Sequence, residues 1–522
     1  MNHFKITFKS ENKQLFIHEG STILEAAGQA GIIIDSPCGG IGTCKKCYVY
    51  IDPDNKKVLA CQYKIKSDLI ITVPPESKFF EHKILTHGIS VTNANNDIYE
   101  KYCSESENNE IYGIAVDIGT TTVVTNLIDL QNGKILATEA SLNPQSQYGN
   151  DVISRISFAK TYEKLKVLQK SIIDCINNLI KNICDKNNIG YDSILEMCAV
   201  GNTTMSHIFL GLPIEQLGYS PYKAHSLESY DLRPKQLDLN INLSGNIHTV
   251  ENIAGFVGSD TVAAALAADI DSASETTLVV DIGTNGEIVL GTKDSLYAAS
   301  CAAGPAFEGG SINCGSRATE GAIEAVVFNE DDIDIDVIGI KQAYSICGSG
   351  LIDAVAVMVK LGIIDRTGRF FNIEELRKKL PGKIFERIHL NNGGLELYLN
   401  KKVYINQRDI RQIQLAKAAI QAGIKLLLKK MDIQACDIEH VLLAGAFGNY
   451  IRKESALEIG LLPAIAPEKI QFIGNAAASG AQMILLSTEN RLKAKQLATK
   501  IQYIELANSS DFQDVFTDCL AF

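Results

Sequence analysis

Two stretches of this 522-residue chain repeat one another: IYGIAVDIGTTTVVTNLIDL over 111–130 and TLVVDIGTNGEIVLGT over 277–292. Each is an apolar, β-branched run, an Asp-Ile-Gly-Thr turn and a second apolar run, the pattern of two strands joined by a tight turn. Their spacing of about 165 residues is domain-sized and far above a solenoid period. The repeat predicts two similar halves, 111–276 and 277–522, each opening on the same hairpin. Strand-like runs alternate with amphipathic helical ones throughout 111–522, which predicts an α/β architecture.

Three further segments follow in order. AGFVGSDTVAAALAADI (254–270) and GNAAASGAQMILL (474–486) read as small-residue helices able to pack closely, and VLLAGAFGNY (441–450) as a buried strand running into a Gly-rich turn. A turn of the Asp-x-Gly-Thr kind can set backbone N–H groups and hydroxyls around phosphate oxygens, while its Asp holds Mg²⁺ through water. One such turn is an ordinary β-turn. Two in matching contexts, with three ordered segments, point to nucleotide.

The N-terminal region carries a different chemistry. Cys38, Cys44, Cys47 and Cys61 are spaced C-x5-C-x2-C-x13-C within SPCGGIGTCKKC and LAC. Thiolates are the soft ligands of iron–sulfur clusters, and four of them suit a [2Fe–2S] centre. Gly39, Gly40 and Gly42 let the backbone take positive φ and turn N–H groups toward sulfide. Zinc loops instead come as two short Cys pairs. Strand patterns at 4–9, 13–18, 48–51 and 68–73, with a helix N-capped by Ser21 and running through about Ala30, give the element order of an α+β β-grasp ferredoxin over residues 1–76. Its first gap holds five residues rather than the plant-type four. That gap resembles the ferredoxin branch that supplies hydroxylases. Residues 77–110 are polar, rich in Asn, Ser and Glu, and read as a linker with room for one short helix.

Composition narrows the partners. With 49 Lys+Arg against 61 Asp+Glu the chain carries −12 and has no basic block, which argues against nucleic acid and anionic membranes. MNHFKITFKS lacks a secretory pattern, and no apolar run approaches the length of a membrane span. The expectation is a soluble, cytoplasmic protein whose thirteen Cys are thiols and metal ligands.

The succession of turns and helices resembles the actin, sugar-kinase and chaperone-ATPase superfamily, a two-lobed, duplicated ribonuclease-H-like α/β fold. Carried over residue by residue, the resemblance implies that Asp117, Gly119, Thr120 and Thr121 contact phosphate and metal. It implies that Asp281, Gly283, Thr284, Asn285 and Gly286 form the facing loop, and that Gly445, Ala446 and Gly448 lie under the adenosine. Gly445-Ala446 replaces the two adjacent glycines common there. Asp117, Asp281 and Glu287 are the catalytic candidates; Glu287 either polarises water or faces solvent.

A [2Fe–2S] module joined to this fold is unusual. Together with NPQSQYGNDVISRI (143–156), GNTTMSHIFLGL (201–212), AGPAFEGGSINCGSRATEGAI (303–323) and ICGSGLIDA (346–354), it resembles the reductive activators of corrinoid proteins. The resemblance implies an ATP- and Mg²⁺-dependent transfer of one electron to a Co(II) corrinoid protein, restoring Co(I). It also implies a low-potential electron donor, anaerobic metabolism and a homodimer. No Asp-x-His-x-x-Gly cobalt-ligating pattern occurs around the nine His, so the corrinoid is expected on the partner. The extra small domain carried by some relatives is expected to be missing. Competing readings are a small-molecule kinase with a fused redox module and a non-enzymatic redox-sensing ATP-binding scaffold. Cys301, Cys314 and Cys347 match no standard spacing and read as buried or loop thiols. Asn202, Thr203 and Thr204 either touch nucleotide or cap the following helix, His207 reads as a packed helix residue, and 372–392 as a solvated surface helix.

Overall fold

The structure, a computed structural model, describes residues 3–9, 12–30, 32, 34, 42, 47–74, 97–103, 110–149, 151–339, 342–391, 393–445 and 451–522. Cys38, Cys44, Ala446 and Gly448 lie outside the described residues.

The N-terminal strands Lys13–His18, His3–Phe8, Leu69–Thr72, Tyr48–Asp52 and Lys56–Leu59 form one five-stranded sheet in that order. His3–Phe8 pairs antiparallel with Lys13–His18 and parallel with Leu69–Thr72, so a chain end and a late strand meet at the centre. Alternation sends Ile6, Phe8, Ile17, Val49 and Ile71 inward, where they meet Ile23 of the helix Ile23–Gln29; all six are fully buried. The cap of that helix falls one residue after the expected Ser21. Thr22 Oγ1 accepts from the Glu25 N–H at 3.1 Å while Glu25 Oε2 accepts from the Thr22 N–H at 2.6 Å, a reciprocal capping box. Ser21 is occupied elsewhere, its hydroxyl 2.9 Å from His18 Nε2.

Within the polar stretch 77–110 a helix, Asp97–Cys103, lies against the larger part of the chain. Ile98 and Tyr102 are buried there, and Tyr102 donates its hydroxyl to Glu196 at 2.6 Å. Glu196, fully buried, also accepts from Asn246 and from Arg491, each at 2.7 Å. Three donors to one carboxylate make this a tight anchor.

The duplication is real in three dimensions. One six-stranded sheet runs Tyr230–Leu232, Asn246–Thr249, Ile194–Gly201, Tyr112–Ile118, Thr122–Asp129, Ile135–Leu142; the other runs Ile470–Gly474, His440–Ala444, Thr277–Ile282, Gly286–Gly291, Leu296–Cys301, Ile501–Tyr503. In each, the hairpin carrying the Asp-Ile-Gly-Thr turn has an antiparallel third strand on one side and a parallel strand on the other. The helices Ser259–Ala267 and Ala476–Leu486 cross between the two sheets. A Cβ on Gly480 would sit 2.0 Å from the Ala263 carbonyl oxygen, so only glycine permits this approach.

The second half carries an insertion before the long helix Gln407–Met431. It contains the helix Gly348–Leu361, a sheet of Ala322–Asn329, Asp332–Val337 and Ser345–Ile346, and a sheet of Ile388–Asn391, Gly394–Tyr398 and Tyr404–Asn406. The expected surface helix over 372–392 is instead two short helices, Ile373–Lys379 and Gly382–Glu386, and the first of these strands. Pro381 interrupts the run, and Leu376 and Ile384 are fully buried. Among the described residues no helix is long and apolar enough to cross a membrane.

Candidate functional site

Each Asp-Ile-Gly-Thr turn is built by its hairpin. In the first, the Gly119 N–H donates to the Thr122 carbonyl at 2.9 Å, and a Cβ at Gly119 would lie 2.6 Å from that oxygen. In the second, the Gly283 N–H donates to the Asn285 carbonyl at 2.9 Å. The two turns face each other across the halves, with Thr121 Oγ1 3.2 Å from Thr284 Oγ1. Thr284 also donates to Glu308, which belongs to the 303–323 segment.

Four carboxylates gather beneath these turns. Asp117 is pushed up to about 6 by burial, against the Asn475 side-chain amide that donates to it at 3.0 Å. Asp281 is pushed up to about 7 by burial and then by the charge of Asp117. Asp260, in the first turn of Ser259–Ala267, rises to about 7 through burial, Asp117 and Asp281. Glu287 pairs directly across the hairpin from Asp281 and is raised well above the usual range by burial, Asp260 and Asp281. Like charges brought together away from water hold their protons until a cation arrives. Among the described residues no three His, Cys, Asp or Glu side chains converge into a ready-made metal cage.

The structure separates the residues singled out in the sequence. Asp117, Thr121, Asp281 and Thr284 come together. Gly445, at φ +86°, lies against Asp281, where a Cβ would be 2.4 Å from the carboxylate. Gly286 is buried against Ile420 of the long helix, 2.8 Å from where a Cβ would be, so its missing side chain serves packing. Glu287 accepts from the Ser300 hydroxyl at 3.4 Å on the next strand.

Sequence reasoning missed Asp260, Asn475 and Glu308. Asp260 and Asn475 each stand at the start of a small-residue helix, and that placement was the available signal. Asn202 caps the helix that follows it and also reaches the first turn. It caps Thr203–Leu210 through Met205 N–H at 3.0 Å and donates to Thr120 Oγ1 at 2.8 Å. His207 is a packed helix residue: its Nδ1 lies 2.7 Å from the Thr203 carbonyl and its Nε2 accepts from the Ser226 N–H at 3.3 Å. Burial lowers its pKa.

The segment 143–156 supports the first turn from behind. Asn143 donates to the Gly119 carbonyl at 2.9 Å, and the fully buried Arg155 donates to the Thr120 carbonyl at 2.5 Å, Gln145 Oε1 at 3.1 Å and the Gly149 carbonyl at 3.0 Å. Burial lowers the Arg155 pKa to about 10, so it stays charged at neutral pH. Arg155→Ala strands three acceptors and is expected to destabilise the protein by about 3–4 kcal/mol. Denaturant titration reads this directly; a loss under about 1 kcal/mol would mean that water replaces the guanidinium.

At the other end of the chain, the sulfurs of Cys47 and Cys61 lie 3.2 Å apart, both buried. That exceeds the ~2.05 Å of a disulfide and leaves two soft donors side by side. Gln62 Nε2 donates to the Cys61 sulfur at 3.6 Å, an N–H···S bond of the kind that tunes a cluster. Gly42, at φ +86°, faces the same Gln62 side chain at 3.0 Å from its would-be Cβ. The residues present fit a [2Fe–2S] cluster. In the second half, Cys301 and Cys347 are buried and Cys314 partly so. Cys301 is packed against Gly423, where a Cβ would be 2.4 Å from its sulfur.

A β-grasp module with paired buried cysteines, ahead of two duplicated halves that face one another across phosphate-type turns, defines an actin-like nucleotide-binding fold joined to an iron–sulfur electron carrier. Comparison with known families agrees: residues 7–66 match the 2Fe-2S iron-sulfur cluster binding domain, 112–273 the RACo middle region, and 275–522 the C-terminal domain of RACo, the ASKHA domain. The corrinoid activation enzyme RamQ of Eubacterium limosum is 32% identical, with 98% of each chain covered. The [Co(II) methylated amine-specific corrinoid protein] reductase of Methanosarcina barkeri is 26% identical over 78% of this chain and 76% of its own. The solved structure of a reductive activator for corrinoid,iron-sulfur protein superposes with a TM-score of 0.72 at 30% identity, covering 99% of this chain and 98% of that one. The chain belongs to the family of reductive activators of corrinoid proteins.

Proposed function

We propose that this protein is an enzyme that reactivates a corrinoid protein, using ATP to drive one electron onto Co(II) and restore Co(I). The observation that carries the reading is the union in one chain of a soft-ligand cluster module with a carboxylate-lined site between two phosphate turns. Cys38, Cys44, Cys47 and Cys61 would hold the [2Fe–2S] cluster. When bound, the cluster supplies single electrons near about −400 mV, drawn from a low-potential donor. The corrinoid sits on a separate partner, and Co(II) becomes Co(I) on gaining one electron. Each ~59 mV by which the acceptor lies lower disfavours the transfer tenfold, which is the reason to involve ATP.

On this reading Asp117 and Asp281 hold Mg²⁺ through water, as Mg²⁺ keeps most of its hydration and uses one or two carboxylates. Gly119, Thr120, Thr121, Gly283, Thr284 and Asn285 surround the phosphates, and Gly445, Ala446 and Gly448 take the adenosine end. Asp260, poised near neutrality, accepts the proton of the attacking water, while Glu287 keeps its proton and steadies Asp281 from behind. The protein works in the cytoplasm of an anaerobe, as a homodimer.

The test is anaerobic mixing of reduced protein, MgATP and a Co(II) corrinoid protein while following the Co(I) absorption band. Co(I) is expected to accumulate only with ATP present. Equal Co(I) without ATP, or phosphorylation of a small metabolite in its place, would refute the reading.

A further inference from the structure

Among the described residues, the N-terminal module meets the second half at a charged pair. His18 closes the strand Lys13–His18, and its Nδ1 donates to Asp336 Oδ2 at 2.6 Å. Asp336 lies on Asp332–Val337 in the insertion of the second half, with its side chain 6% exposed. The other ring nitrogen is 2.9 Å from the Ser21 hydroxyl, so the imidazole is oriented from both sides. The module's described hydrophobic core is made of its own residues, and Phe16, two residues along on the same strand face, remains 66% exposed. A partly exposed ion pair is by itself a weak and reversible contact.

The module is also tethered elsewhere. The helix Asp97–Cys103 that follows it is fixed by Tyr102 on Glu196 and by Asp97 accepting from the Thr488 N–H at 2.9 Å. Glu196 belongs to the first half and Asp336 to the second. Release at His18 therefore frees the module without detaching it.

We propose that His18 and Asp336 form a reversible dock that parks the cluster-bearing module on the second half, held while His18 is protonated and released when it is not. The dock stands independently of which acceptor receives the electron. The groups facing His18 are Asp336, Glu25 on its own module and Arg452 on the second half. The Asp336 hydrogen bond raises the His18 pKa above its ordinary 6.5; burial opposes it, the charges of Asp336 and Glu25 add to it, and Arg452 subtracts. Behind Asp336 stands Glu324, pushed up to about 7 by burial and by Asp336. Beside Arg452 lie Glu454 and Asp353, the latter pushed up to about 6 by burial.

A group whose docked pKa exceeds its free value favours docking fully below the free value. It loses that advantage as pH rises through the docked value. The docked-to-released ratio is thus expected to fall by up to about tenfold for each unit by which docking raises His18. Arg452 follows Gly445 of the nucleotide site by seven residues, so the dock lies close in sequence to the cleft.

Small-angle scattering of the full-length, cluster-loaded protein at about pH 6 and about pH 8.5, at fixed salt, tests this. The maximum dimension is expected to grow on raising the pH. His18→Gln and Asp336→Asn are each expected to give the extended form at both values. The charge-swapped pair His18→Asp with Asp336→His is expected to regain the compact form at low pH. Equal dimensions of the parent protein at both values, or a pH response retained in either single variant, would overturn the proposal. Should Asp336→Asn not fold, His18→Gln, placed on the other module, decides the question.

Discussion

Replacing Asp260 by Asn is expected to slow ATP turnover by about 10²–10⁴-fold, the range for loss of a positioned general base. Nucleotide affinity should change by only a few fold, because the proposed phosphate contacts are those of the two turns. Asp260 is isosteric with Asn, and its local bond from the Thr261 N–H at 2.7 Å can be kept by the amide oxygen. The charge is what disappears. Asp260 rises to about 7 through burial, Asp117 and Asp281, so in the nucleotide-free protein at alkaline pH it is an uncompensated like charge.

The linkage sign follows. A carboxyl with a folded pKa above its unfolded value binds more protons when folded, so it weakens the fold as pH rises between the two values. Asp260→Asn should therefore melt higher than the parent at about pH 8 and little differently at about pH 4, even as turnover collapses. Stability gained with activity lost is the signature of a strained functional group. Steady-state hydrolysis and calorimetry check the two halves of the expectation. Unchanged turnover would remove Asp260 from the reaction and return attention to Glu287.

Cys47→Ser is expected to abolish the cluster: no visible absorption, no paramagnetic signal after reduction, iron near background and no electron transfer at all. A hydroxyl is a poor substitute for a soft thiolate. Cys47 is also fully buried within the module's core beside Cys61. Metal binding and folding are coupled in small metal-holding modules, and the variant's N-terminal module should also become more sensitive to protease. Nucleotide binding should persist, because the turns at 119–121 and 283–285 belong to separate sheets with separate cores. Iron analysis, electron paramagnetic resonance and nucleotide titration together read these outcomes. Full iron content would show that Cys47 is not a ligand.

Much of this architecture was legible because its signals are local. A strand–turn–strand needs only adjacent residues, so the hairpins at 112–129 and 277–291 and the ferredoxin strands could be read from alternation and turn chemistry. The strand Lys56–Leu59 went unread because KKVL is half charged and pairs only as an edge. The surface helix expected at 372–392 failed for a related reason. Its charges are solvated, while Leu376 and Ile384 bury against an insertion whose position no local pattern records.

The sequence by itself determined the chemistry in kind: four cysteines at cluster spacing, a duplicated Asp-Ile-Gly-Thr hairpin, and glycine-rich helices made to cross closely. Only the tertiary structure decided which side chains share a site. Asn475 meets Asp117 across 358 positions of sequence, and Thr121 meets Thr284 across 163. His18 finds Asp336 on a different module. Hydrogen bonds and shifted protonation depend on distances of a few ångströms and on the exclusion of water. Those distances exist only once the halves have packed.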